Sequence, residues 1–414
     1  FTGAGGLTRL YTDRAARAIW NPREWQPRAV FGGLAGPRHA PHTGAPLEPG
    51  RRTITAVSRD PLAVIAAEPP QLSATEALGI AREHFALDAV DAAALVSERD
   101  QNFRMSTADG RRFVLKIANA AEHPTVVALQ IEALLRVDDY QRRHGERFGV
   151  PRVLRAPDGS TSVRIRHGSS GHTVRVVSYL DGTPLDDREP SAALCRHAGT
   201  CLAELGLALH GVSGDSARQN LLWDMREAPR LRELLSCIAE PATRKLVARA
   251  LDDFERRALP RFDTLRQQLI HNDLNPDNLL TDADAARLAG IIDFGDMTRS
   301  PLIVDVAVAA AYLQRREGNP LAPACEFLQG YHAIAPLAEP ETGLLFDLIR
   351  TRLAASVTIR CWRESARRPD DAYLRKYLAE TPAEDFLQRI DGIPRKQARA
   401  MFRDACRAAG QPVL

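Results

Sequence analysis

The C-terminal half of this chain reads as long helical patterns broken by one non-helical island, residues 269–293, and that interruption restricts the fold more than any other feature. The island contains His271-Asn272-Asp273-Leu274-Asn275-Pro276-Asp277-Asn278-Leu279-Leu280 and closes on Gly290-Ile291-Ile292-Asp293-Phe294-Gly295-Asp296. Pro276 lacks a backbone donor and, with polar neighbours on both sides, excludes a helix. Asn278-Leu279-Leu280 and Ala289-Gly290-Ile291-Ile292 have the pattern of two short strands joined by a turn at 282–287. The sequence therefore predicts a hairpin with Asn278 at one end and Asp293 at the other.

Around it, helices are predicted over 191–211, 229–236, 241–262, 344–367 and 394–409. The part before residue 180 differs. Ser73 stands three residues before Glu76 and leads into Ala77, Leu78 and Ile80, a capping box that opens a helix. Strands follow at 92–105, 112–119 and 173–180, bounded by the turns Ala108-Asp109-Gly110 and Pro157-Asp158-Gly159, with a helix at 125–143 between the second and third. The fold class is α+β, with a sheet lobe at 73–180 and a mostly helical lobe at 181–414. Residues 1–70 are rich in Gly, Pro and Arg without periodicity, and are expected to be a disordered leader or an upstream extension, with a candidate start near Val57.

A net charge of +3, from 55 basic against 52 acidic residues, supplies no basic stripe, so neither nucleic acid nor a membrane surface is expected as a partner. The six cysteines are scattered without a C-x-x-C pair, which opposes a zinc site or a disulfide framework and suits the cytoplasm. The most apolar stretch, 302–313, is interrupted by Asp305 and is shorter than the roughly 20 residues a membrane helix needs. No secretory signal is evident.

Phosphoryl transfer requires a base beside the attacking hydroxyl and oxygen ligands for magnesium. Asp273 and Asn278 are five apart, the spacing of a catalytic base and a metal-binding Asn in kinases, and Asp293-Phe294-Gly295 supplies the second metal ligand of a D-F-G turn. Asp273 is the candidate base; Asn278 and Asp293 are the candidate magnesium ligands. Lys116, in Phe113-Val114-Leu115-Lys116-Ile117, is the only lysine of the first half of an Arg-rich chain and offers a compact charge for phosphate oxygens. Glu132, on the following helix, is the candidate to orient it. His271 is expected to orient its loop, and Asp305 to hold the loop backbone rather than react.

These residues resemble the aminoglycoside phosphotransferase and choline kinase superfamily, relatives of protein kinases, from Ser73 onward. The resemblance implies a bilobal protein-kinase-like fold: a small N-terminal antiparallel-sheet lobe with one helix and a larger helical catalytic lobe. It implies ATP or GTP as donor, held at a hinge on Ser178, Tyr179 and Leu180, with Mg2+. Ser97-Glu98-Arg99-Asp100-Gln101-Asn102-Phe103 and Asp293-Phe294-Gly295-Asp296-Met297 are most similar to the hydroxylysine kinase branch, which points to an amino-alcohol acceptor. The loop at 97–104 has no glycine, so Asn102, Arg99 or backbone amides must grip the phosphates instead of a glycine-rich cover. Asp296 is a candidate to assist the metal, bind a substrate amine or cap the next segment, and Asp347, Trp362 and Glu364 are candidates to meet a substrate ammonium. The missing arginine of H-R-D and the missing A-P-E oppose a protein kinase; a kinase-like binding module without turnover is the rival from another class. No lysine follows a glycine, which excludes a P-loop kinase.

Overall fold

The computed structural model describes residues 68–185, 189–212, 221–315, 317–365 and 383–410; the expected leader at 1–70 lies outside them up to residue 67. The described residues belong to one compact unit, Ala56–Leu414. The first helix, α1 (Ala74–Phe85), opens on the predicted capping box: Ser73 Oγ accepts from the Glu76 amide at 3.2 Å, and the Glu76 carboxylate accepts from the Ser73 amide at 2.7 Å.

The sheet of the first lobe contains β1 (Ala89–Leu95), β2 (Gln101–Thr107), β3 (Arg112–Ile117), β4 (Val153–Leu154), β5 (Val163–His167) and β6 (Ser170–Ser178). Their order is β1-β2-β3-β6, with β4 and β5 both on the free side of β6, and every pairing is antiparallel. The run predicted as one strand over 92–105 is two strands joined by a corner at 96–100. Side chains alternate across the sheet. Phe103, Leu115 and Val176 lie in one cross-strand row and pack with Ala77, Ala81 and Phe85 of α1 in a single core. The adjacent row, Asn102, Lys116 and Arg175, belongs to the opposite face. On that side lies α2 (Pro124–His144), whose Leu129, Ala133, Leu134 and Val137 join the core of the helical lobe.

The helical lobe is built from α3 (Ala192–Leu209), α4 (Pro241–Arg257), α5 (Leu302–Tyr312), α6 (Ala322–Ile334), α7 (Leu345–Ser365), α8 (Ala383–Asp391) and α9 (Arg395–Ala408). Two predictions are modified: 229–236 is part of a 3-10 run, Met225–Cys237, that accommodates Pro229, and 241–262 splits into α4 and a 3-10 turn, Leu259–Thr264. The apolar stretch at 302–313 forms α5, with Leu302 to Ala311 buried. Helices α3 and α6 cross with their backbones almost touching: a Cβ at Gly330 would meet Arg196 O at 1.8 Å, so only glycine fits there. Among the described residues no helix is long and apolar enough to cross a membrane.

Inside this lobe, β7 (Thr183–Pro184) pairs with β9 (Leu279–Thr281), which forms the predicted hairpin with β10 (Leu288–Ile291); β8 (Gln267–Ile270) pairs with β11 (Thr298–Pro301). Leu279 lies opposite Ile291 and Ile270 opposite Thr298. The two loops, 271–278 and 292–297, are therefore fastened to each other at both ends, and Asn278 and Asp293 flank the same open end of the hairpin.

Candidate active site

The loop after β8 owes its shape to Asp305, buried near the N-terminus of α5. Its Oδ2 accepts from the His271 amide at 2.9 Å and its Oδ1 from the Asn272 amide at 2.7 Å, so one carboxylate satisfies two backbone donors. That grip supports the left-handed conformation of Asn272 (φ 65°). Burial raises the Asp305 pKa to about 6, against the pull of these two amides. His271 is fully buried; Nε2 donates to Ile292 O at 3.1 Å and Nδ1 accepts from the Asp273 amide at 3.3 Å, which ties one loop to the other through the neutral ring. Burial lowers its pKa to about 4, and the ring meets Phe294 edge-on at 4.9 Å.

Asp273 follows, its side chain 22% exposed. Asn275 Nδ2 donates to its two oxygens at 3.1 and 3.2 Å, Asn278 Nδ2 to Oδ2 at 2.8 Å, and Arg352 Nη2 to Oδ1 at 3.0 Å. Burial and the neighbouring Asp296 push its pKa up to about 7; Arg352 opposes them. Arg352 comes from α7, is buried, donates through Nε to the Tyr312 hydroxyl at 3.0 Å, and lies 4.6 Å from the Trp223 ring. Sequence reasoning did not find it: an arginine between Thr351 and Leu353 shows its role only once α7 is packed beside the loop. The same helix also carries Asp347, Arg350, Arg360 and Arg363, so no local signal set Arg352 apart.

Asn278 also donates to Asp273 O at 2.8 Å, which leaves its Oδ1 as the atom able to meet a cation. Asp293 is left-handed (φ 59°) and half exposed, and Lys116 Nζ stands 3.2 Å from its Oδ1. Lys116 and, against burial, the neighbouring Arg99 hold the Asp293 carboxyl down at about 2, so it is ionised throughout the physiological range. One carboxylate and one amide oxygen, beside a place already taken by a cationic group, fit magnesium, which takes few protein ligands and completes its shell with water and phosphate. No cluster of three or more His, Cys, Asp or Glu able to hold a metal occurs among the described residues.

The remaining candidates are distributed less evenly. Asn102 is the cross-strand partner of Lys116 and is buried, with Oδ1 accepting no hydrogen bond. Ser178 Oγ accepts from the Arg152 amide at 2.9 Å, the Tyr179 amide donates to Arg112 O at 3.0 Å, and Leu180 packs against Gly149 and Gly290, joining the hinge to the hairpin. Glu132 is corrected: its ion partner is Arg136 at 4.0 Å, whereas that of Lys116 is Asp293. The buried residue of α2 that faces the turn carrying Asp293 is Gln130, two positions earlier, and residues two apart on a helix face different ways. Asp296 is buried and paired with Arg99, whose charge it supports together with Glu122 and Asp100 against the cost of burial. Asp347 is held by Arg395 at 2.6 Å and is closed to a substrate amine.

Comparison with known proteins gives the context. Residues 92–345 match the model of the phosphotransferase enzyme family. The chain is 26% identical over 292 residues to hydroxylysine kinase of Mus musculus, covering 65% of this chain and 76% of that protein. It is 30% identical over 254 residues to homoserine kinase of Phenylobacterium zucineum, covering 59% and 71%. Among solved structures, an amicoumacin kinase in complex with AMP-PNP and Ca2+ superposes with a TM-score of 0.55 at 17% identity, covering 78% of this chain and 94% of that one, so the kinase-like fold is shared.

Proposed function

This chain belongs to the phosphotransferase enzyme family, and on that premise we propose that it transfers the terminal phosphoryl group of ATP or GTP to the hydroxyl of an amino alcohol of the hydroxylysine type. The observation that carries the reading is the knot at one end of the hairpin: Asp273 bonded to Asn278 at 2.8 Å, with Asp293 beside it and Lys116 3.2 Å from Asp293. The similarity to hydroxylysine kinase supports the choice of acceptor.

In this mechanism the acceptor hydroxyl lies at the exposed edge of Asp273. Its oxygen forms the new bond to phosphorus as the bond to the leaving diphosphate breaks, and Asp273 takes the hydroxyl proton late. Asn275, Asn278 and Arg352 fix the plane of the carboxylate, so no reorientation is needed during the step. Asn278 Oδ1 and Asp293 would hold Mg2+, which supplies charge neutralisation on the phosphate oxygens. Lys116 exchanges Asp293 for a phosphate oxygen when the donor binds, and Asn102 and the hinge residues Ser178, Tyr179 and Leu180 line the nucleotide side. Glu132 has no part in this arrangement. The cysteines of the chain are unpaired, which suits a cytoplasmic enzyme.

A panel of hydroxylysine, homoserine, other amino alcohols and aminoglycosides, each tried with ATP and with GTP while diphosphate release is followed, tests the proposal. Turnover of hydroxylysine supports it. Turnover confined to homoserine would move the acceptor to that reading, which the 30% identity to a homoserine kinase favours. Nucleotide binding without turnover of any acceptor, or phosphorylation of proteins alone, would overturn it.

A further inference from the structure

Gln130 is 97% buried in the middle of α2, among Val127, Leu129 and Ile131. A buried amide must be hydrogen-bonded, and the simplest solution on a helix is local. This one is satisfied at a distance on both sides. Its Oε1 accepts from Arg175 Nη2 on β6, and its Nε2 donates to Gly295 O at 3.2 Å in the turn that carries Asp293. Arg175 is itself buried and is the cross-strand neighbour of Lys116. A chain of contacts thus runs from the sheet through the helix to the turn.

The turn needs such support. Asp293 has a left-handed backbone, uncommon for a residue other than glycine and stable only where the surroundings dictate it. Its carboxylate folds back over Gly295, where a Cβ would meet Oδ1 at 3.2 Å and the Arg99 guanidinium at 3.3 Å. Gly295 thus packs directly against Asp293 Oδ1, and a bond that holds the Gly295 peptide also limits where that oxygen can lie.

We propose that Gln130 is a positioning residue for the metal-binding turn: by bonding Arg175 and the Gly295 carbonyl at once, it fixes the Asp293 carboxylate where Mg2+ must be held. The proposal rests on the reading of Asp293 as a magnesium ligand given above.

The test uses the full chain with AMP-PNP as probe, titrating Mg2+ at fixed nucleotide and measuring nucleotide binding in EDTA in parallel. Gln130→Glu keeps an acceptor for Arg175 but removes the donor to Gly295; Gln130→Met removes both. Loss of outer partners of a metal ligand weakens metal affinity roughly 10–100-fold. The half-saturating Mg2+ concentration is expected to rise by about that factor in both variants, while nucleotide affinity in EDTA, which reports an intact fold, stays at the wild-type value. Gln130→Glu with wild-type Mg2+ dependence would overturn the proposal, as would equal weakening with and without Mg2+, the mark of a general structural role. Asp293→Asn is run alongside: if it loses the Mg2+ response while Gln130→Glu keeps it, the relay fails alone; if Asp293→Asn responds as wild type, the reading of Asp293 itself fails.

Discussion

The loop at 271–278 takes the partners of its Asp273 carboxylate from within the helical lobe, whereas the side chains of Lys116 and of the corner residues Glu98 and Arg99 in the sheet lobe pair across to the opposite lobe. Asp305, His271, Asn275, Asn278 and Arg352 all serve the first, and all come from the loop itself or from α5 and α7. Lys116 pairs with Asp293, Arg99 with Asp296, and Glu98 with Arg363 of α7. On the proposed reading the base is organised before any substrate arrives, while the nucleotide side exchanges at least one protein partner for a phosphate. Variants on the two sides should then fail in different ways.

The largest effect is expected at Asp305. Its replacement by Ala leaves two buried amides without an acceptor, at about 1–3 kcal/mol each. Thermal unfolding should shift down by several degrees and kcat should fall, with nucleotide affinity preserved; an unchanged Tm and kcat would break the claim that the base loop is prebuilt. Next comes Lys116→Met. Charged hydrogen bonds contribute about 1.5–3 kcal/mol, so nucleotide affinity measured by calorimetry should weaken on the order of 10–100-fold with little change in Tm. A large loss of stability instead would make Lys116 a structural pair and erase the contrast.

Acid titration separates the sides further. Asp273 has its pKa raised to about 7, so kcat/KM should fall about tenfold for each pH unit below that value as the carboxylate takes up a proton. Nucleotide binding should be nearly flat over the same range, because the Asp293 pKa is lowered by Lys116. Arg352→Gln should move the acidic limb to higher pH, since Arg352 favours the ionised base. The smallest effect is assigned to Asp181→Asn at the end of the hinge. The Arg112–Asp181 pair is solvent-exposed, and such pairs contribute about 0.2–1 kcal/mol, so KM for nucleotide should change less than about fivefold. A larger change would show that the Arg112–Asp181 pair itself contributes to nucleotide binding.

What could be read from the sequence was local. The capping box at Ser73, the hairpin around 279–291 and the five-residue spacing from Asp273 to Asn278 each lie within a few residues of chain, and the structure has the first two as predicted. Asp305 was identified correctly as the backbone partner of the loop because a carboxylate inside so apolar a helix needs buried donors. Errors arose where distant chain decides. The phase of α2 was off by two residues: apolar residues at 126, 127, 129, 131, 134 and 135 cover most of its circumference, so no stripe marked Gln130 rather than Glu132 as the side facing the turn. Asp347 looks open to a substrate from sequence because Arg395, which occupies it, lies far along the chain. The corner at 96–100 is hidden in the strand pattern because Arg99 and Glu98 find their partners, Asp296 and Arg363, on distant chain.

The account stands most directly on the Asp273 carboxylate. Transfer of radiolabelled terminal phosphate to hydroxylysine should be compared between wild type and Asp273→Asn, with nucleotide affinity measured on the same samples. A loss of about 10²–10⁴-fold in kcat at unchanged nucleotide affinity is the expected result; label transfer by the variant at the wild-type rate would contradict it.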